Sequence, residues 1–164
     1  MKKTFGIMLT LLIAAGVSLT CVFAAEYVKY SKNFIKHFKD CDAYSESTSS
    51  EFEGESFETT RKIIGWRNGM CKFQETLKSS EGTYQVDCAF PSVQVDELYE
   101  AMTSKSRQTE PEKMELEIFN SKTDPKTGKV SYYVAGTQTI KGNRGYLVWT
   151  KYENNPYFCK PKKL

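Results

Sequence analysis

One histidine limits the chemistry this chain can carry. His37 is the sole imidazole in 164 residues, and Ser–His–Asp or Cys–His catalysis needs an imidazole to take the nucleophile's proton. Cys41 follows it by four residues, one helical turn away, so a Cys41/His37 hydrolase is the thiol mechanism the spacing allows. His37 also sits at i+3 from Phe34, on the border of an apolar stripe, where a boundary histidine without chemical duty is the favoured reading. A conventional zinc site is disfavoured, because one His and a set of paired cysteines leave too few ligands. Glu51, Glu53, Glu55 and Glu58 offer carboxylates for glycoside hydrolysis or a hard cation. Hydrolysis, however, needs two acids held at fixed separation on a rigid frame, and their Ser-rich surroundings supply little frame. No Asp-x-Asp-x-Asp-Gly spacing marks a calcium loop and no nucleotide loop is present, so neither metal nor cofactor is expected.

The other chemistry-bearing cluster is aromatic. Tyr132, Tyr133, Tyr146, Trp149, Tyr152, Tyr157 and Phe158 crowd together beside Arg144 and Lys151. Adjacent tyrosines in a regular strand point to opposite faces, so one sheet face cannot bury all of these rings. The expected contact residues are Tyr132, Tyr133, Arg144, Tyr146, Trp149, Lys151 and Tyr152, amphipathic groups suited to protein or glycan; the alternative is a second layer that covers them. In Gly65-Trp66-Arg67-Asn68-Gly69, Trp66 either packs beside Cys71 or stands exposed as a ligand platform.

Elements must hold these groups. Tyr27, Tyr30, Phe34, Phe38 and Cys41 recur at spacings of three or four, with lysines outside, which predicts a helix over 27–41. From Asp42 to Phe57 the pattern gives way to serines and glutamates and reads as an acidic loop. Asn68-Gly69 signals a type I′ hairpin. Folding about it sets Arg67 opposite Met70, Trp66 opposite Cys71, Ile64 opposite Phe73 and Lys62 opposite Glu75. A second turn through Ser79–Gly82, with Leu77 meeting Gly82, brings Phe73 to Val86 and Cys71 to Cys88. The core face then holds Ile64, Trp66, Phe73, Leu77, Tyr84, Val86 and both cysteines.

Pro91-Ser92 opens a second helix with Val95, Leu98, Tyr99 and Met102 as its stripe. Thr103–Lys113 reads as a polar linker, and strands follow at Met114–Phe119, Lys129–Ile140 and Gly145–Tyr152, the last after a turn at Gly142–Gly145. The expected fold is α+β: a mainly antiparallel sheet, with a β-meander over 58–90 and C-terminal strands over 114–152, and two amphipathic helices on one face.

The N-terminus sets the compartment. Met1-Lys2-Lys3 and the uncharged run Phe5–Ala25 form an export signal, with cleavage after Val22-Phe23-Ala24. The run is also long enough for an uncleaved anchor. Ser18 and Thr20 do not suit a lipoprotein site at Cys21. Gly6 ahead of an apolar helix resembles the pilin pattern, but Leu11 stands where pilins carry glutamate. The expectation is a signal over 1–24 and one extracytoplasmic domain over 25–164, periplasmic or secreted, meeting the membrane only through an uncleaved N-terminus. Cys41, Cys71, Cys88 and Cys159 then form an even set that predicts two disulfides. Three pairings are open, and Cys71–Cys88 is one that the hairpin register allows.

A composition of 40% hydrophobic and 26% charged residues suits one globular domain and excludes collagen-like, coiled-coil and polytopic classes. Charge is polarised within a net +3: seven acids and no base from Asp40 to Glu58, nine bases and two acids from Asn120 to Leu164. The basic end, including Lys160-Pro161-Lys162-Lys163, either meets an anionic envelope component or is a solvated tail balanced by the acidic segment. Near-neutral mature charge and export argue against nucleic acid. The sequence therefore reads as an exported, disulfide-stapled, non-catalytic domain that binds a protein, glycan or envelope component. The alternatives are an inhibitor of an extracytoplasmic hydrolase, an anchored surface or pilin-like subunit, and a small hydrolase using Cys41/His37 or the loop carboxylates.

Overall fold

The computed structural model describes residues 30–52, 54–104 and 111–164. The expected signal over 1–24, Glu53 and linker residues 105–110 lie outside the described residues. In chain order the elements are α1 (Lys32–Asp40), β1 (Tyr44–Phe52), β2 (Glu55–Arg67), β3 (Met70–Ser79) and β4 (Gly82–Phe90). They continue with α2 (Ser92–Thr103), β5 (Glu112–Thr123), β6 (Val130–Gly142), α3 (Arg144–Glu153) and β7 (Cys159–Lys163). An antiparallel sheet runs β1-β2-β3-β4-β7, and β5 and β6 form a separate two-stranded ribbon. The fold is α+β, as expected.

Local chemistry explains most boundaries. α1 begins where the Ser31 hydroxyl accepts the Phe34 N–H at 2.9 Å. It ends where Cys41 turns left-handed, at φ +53°. Tyr30 therefore precedes the helix, and Phe34 and Phe38 form its buried face. Asn68 and Gly69 both take positive φ, and Arg67 faces Met70 and Trp66 faces Cys71, as the hairpin signal predicts. Beyond that point Gly65, at φ +103°, forms a bulge that slips the register by one residue. Ile63 instead of Ile64 then faces Phe73, and Arg61 instead of Lys62 faces Glu75.

The β3–β4 turn is also tighter than expected. Ser79 pairs with Gly82, so Phe73 faces Cys88 and Cys71 faces Phe90. A shift of two residues keeps every side chain on its face but moves Cys88 away from Cys71. The disulfides join Cys41 to Cys71 and Cys88 to Cys159, in place of the Cys71–Cys88 alternative. The first ties the end of α1 to β3; the second ties β4 to β7.

Three further expectations are corrected. The acidic stretch expected as a loop over 42–57 holds β1, paired with β2 over nine residues from Tyr44 to Phe52. The expected strand Gly145–Tyr152 is α3. The Asn143 side chain accepts the Tyr146 N–H at 2.9 Å and starts the helix, and burial of Leu147, Val148, Trp149 and Tyr152 overrides their β-prone sequence. The basic tail is β7, an edge strand that tolerates Pro161 because one of its sides is unpaired.

The core lies between the helices and one face of the larger sheet. Trp149 is its hub: its ring centroid lies 5.0 Å from Phe73, 5.2 Å from Phe38, 5.5 Å from Tyr30 and 5.9 Å from Phe90.

Candidate binding surface

The seven expected contact residues do not form one site. Trp149 and Tyr152 are 2% and 4% exposed and belong to the core, a consequence of α3 replacing a strand. The Tyr152 hydroxyl donates to Glu97, and Lys151 Nζ reaches the same carboxylate at 3.2 Å. Partial burial opposes the Glu97 charge, but the Tyr152 and Lys151 hydrogen bonds outweigh it and hold this carboxyl below its usual range. Tyr146 packs at the base of the ribbon with Leu116, Ile140 and Leu147, and Arg144 pairs with Glu112 at 3.7 Å. Only Tyr132 and Tyr133 remain on the ribbon.

The ribbon gathers apolar surface that the sequence did not single out. Eight large hydrophobics are exposed among the described residues, and five of them are Ile118, Val130, Tyr133 and Val134 on the ribbon and Tyr157 against it. Cross-strand partners share a face, so Val134 lies with Phe119 and Tyr132 with Ser121. The Tyr157 ring meets this face edge-on, 6.3 Å from Phe119 and 6.0 Å from Tyr132. Beyond the base, β5 and β6 make ladder hydrogen bonds only with each other among the described residues. The signal in the sequence was the alternation of Val130, Tyr132 and Val134 opposite Phe119, readable only with the bulge between Ile118 and Phe119 in place.

Tyr157 also borders a groove of about 360 Å³ on the sheet face away from the helices, lined by Ile64, Lys72, Ala89, Phe158 and Lys160. Aromatic surface flanked by ammonium groups thus runs from the ribbon onto the larger sheet. Asp87 also lines the groove and is satisfied by Gln74, Gln85 and Lys162, at 2.8, 2.7 and 3.6 Å.

The catalytic alternatives are poorly served. Cys41 is bonded to Cys71 and offers no thiolate, and His37 stacks on Tyr44 with ring centroids 4.7 Å apart. Glu51, Glu55 and Glu58 are solvent-exposed at the far end of β1 and β2, and none of them lines the groove beside Tyr157. No group of three or more His, Cys, Asp or Glu residues with metal-binding geometry occurs among the described residues. Trp66 is half-exposed, and its indole N–H donates to the Asp40 carbonyl at 2.9 Å, which fixes the ring against the α1 terminus.

One ionic cluster was missed because it depends on the Gly65 bulge. Arg61 Nε donates to Glu75 at 2.7 Å, and the guanidinium lies 5.0 Å from the Tyr30 ring centroid. Burial, and then the charge of Glu75, push the Glu153 carboxyl well above its usual range, with Arg61 offsetting part of the effect. The cluster joins the entry to α1, β2, β3 and the end of α3. Its place at the half-buried rim of the core gives it a positioning role.

No protein-family model, curated protein or solved structure matches the chain. Two disulfides indicate an oxidising, extracytoplasmic environment, and no described helix is long and apolar enough to cross a membrane.

Proposed function

We propose that the chain is an exported domain that binds a protein partner through the β5–β6 ribbon. The observation that carries this reading is the concentration of Ile118, Val130, Tyr133, Val134 and Tyr157 at the surface of a ribbon that projects beyond the core. Val130, Val134 and Tyr157 lie on one face of the ribbon and Ile118 and Tyr133 on the other, exposed apolar surface of a kind that marks interaction sites, and Tyr is enriched at the centre of protein interfaces. Unpaired strand edges add backbone donors and acceptors that a polypeptide partner can satisfy. The groove supports a second reading. Tyr157 beside Lys72 and Lys160 suits an anionic glycan or envelope component, with a ring to stack on and ammonium groups to pair.

A photo-cross-linking residue at Tyr133, compared with one at Thr48 on β1, tests the protein reading in cells that export the chain. A discrete adduct from position 133 and none from position 48 is the expected result. Equal adducts at both positions, or none at 133, would remove the ribbon as the contact surface.

A further inference from the structure

The helices pack on one face of the five-stranded sheet, and the opposite face is polar. Cross-strand partners share a face, so the register sets the outward side chains in rows. One row runs Lys62, Gln74, Asp87 and Lys160 across β2, β3, β4 and β7. On one side of it lie Lys72 and Ala89, on the other Thr60, Thr76, Gln85 and Lys162. Across these three rows four ammonium groups face one carboxylate, and that carboxylate is engaged. Lys162 lies 3.6 Å from Asp87, and the Gln74 and Gln85 amides donate to it. Lys72 and Lys160 line the groove beside Tyr157, and neither makes an ion pair with a described residue. The groove therefore carries unbalanced positive charge.

Its construction narrows the anion. The groove lies over the interior of the sheet, where β3 and β4 are paired on both sides, so an acidic peptide finds no strand edge to extend. Phosphate sites use helix N-termini or a guanidinium fork, and neither lines this groove. It offers instead two point charges and an aromatic wall. The Tyr157 ring is held in place, with its hydroxyl donating to the Tyr132 carbonyl at 3.5 Å and its backbone N–H to the Asn155 side chain at 3.0 Å. The residue is nevertheless 67% exposed. The electron-rich face of such a ring attracts the C–H groups of a pyranose, and ammonium groups beside it pair with a carboxylate carried on the sugar's rim. A volume of about 360 Å³ falls within the ordinary range for small-ligand sites.

We infer that this groove binds an acidic saccharide, with a hexuronate ring on Tyr157 and its carboxylate paired with Lys72 and Lys160. The inference rests on the reading of the groove as a site for an anionic glycan or envelope component, and it narrows that reading to one ligand class.

The test is affinity electrophoresis of the oxidised chain through gels containing polygalacturonate, alginate or hyaluronan, which carry different uronates. Dextran serves as the neutral counterpart and dextran sulfate as the anion without a carboxylate. At least one uronate polymer should retard the chain, and dextran should not. Tyr157→Ala, and Lys72→Gln combined with Lys160→Gln, should each weaken the apparent affinity by at least about tenfold, with unchanged urea midpoints showing that the fold survives. Lys126→Gln combined with Lys129→Gln removes the same charge from the turn between β5 and β6 and should leave binding as it was. Retardation by dextran sulfate but by no uronate polymer, or a Tyr157→Ala variant that binds like the parent, overturns the inference and keeps the groove as an anion site. Equal retardation by dextran, or equal loss from the groove and turn variants, also overturns it. Retardation by none of the anionic polymers removes both the inference and the reading on which it rests.

Discussion

The Trp149 core and the β5–β6 ribbon are built from the same kinds of residue and end in opposite states. Around Trp149, rings from α1, β3, β4 and α3 enclose one another, and each is shielded by a layer above or below. On the ribbon, Tyr133 and Val134 have a partner strand and stay exposed, and Tyr132 is covered in part by the Tyr157 ring. Burial requires a second layer, and two strands alone cannot provide one. The difference shows that aromatic content does not locate a binding surface; what counts is whether an opposing element exists.

The sharpest way to break this contrast is truncation. Trp149→Ala should cost about 3–5 kcal/mol in urea unfolding, the usual penalty for emptying an aromatic core site. Tyr133→Ala should stay within about 0.5 kcal/mol. Similar losses at the two sites would mean that the ribbon is part of the core.

Removing the second staple should rank next. Cys88→Ser with Cys159→Ser frees β7 from β4 and should cost about 2–4 kcal/mol, with hydrogen exchange accelerating across β4 and β7. Equal acceleration along β5 and β6 would show that the two regions unfold as one.

The smallest effect concerns pH and sets the core's ionic cluster against the exposed carboxylates. Glu153 holds its proton more tightly in the folded state than in the unfolded one. The stability it contributes is therefore full below the ordinary glutamate range and lost as pH rises through its raised folded value. Glu153→Gln should flatten that decline and leave the protein more stable than the parent at neutral pH. Urea midpoints measured across a pH series will decide this, and a parallel decline in the variant would remove Glu153 as the cause. Glu97 acts with the opposite sign: its lowered value contributes stability above the ordinary range that fades as pH falls.

How far the fold could be read from sequence depended on whether local signals and tertiary burial agreed. They agreed in α1, in the Asn68-Gly69 turn and in α2, where Val95, Leu98 and Met102 are buried as their spacing predicts. β1 gave no signal because neither face of an exposed edge strand needs apolar residues, so Ser-Glu-Ser-Thr looks like a loop. α3 misled because Tyr146, Val148, Trp149 and Thr150 favour strands, although Asn143 before them and Asn154-Asn155-Pro156 after them are helix boundary signals. In β2, one glycine displaced every partner beyond it and hid the Arg61–Glu75 pair. Of the candidate site, Tyr132 and Tyr133 were found by alternation. Ile118, Val130, Val134 and Tyr157 were not, since exposure of an apolar residue is decided by what is missing above it.

The placement of the two tryptophans has an optical consequence. Trp149 sits in a dry aromatic shell, so its emission should be blue-shifted and should change only when the core opens. Trp66 is half-exposed and directly opposite Cys71, whose sulfur is bonded to Cys41, and disulfides quench nearby indoles. Reduction of that bond would therefore brighten the red edge of the spectrum, where Trp66 emits. The chain thus carries one indole that reports the integrity of its interior and another that stands beside its first staple, without an added label.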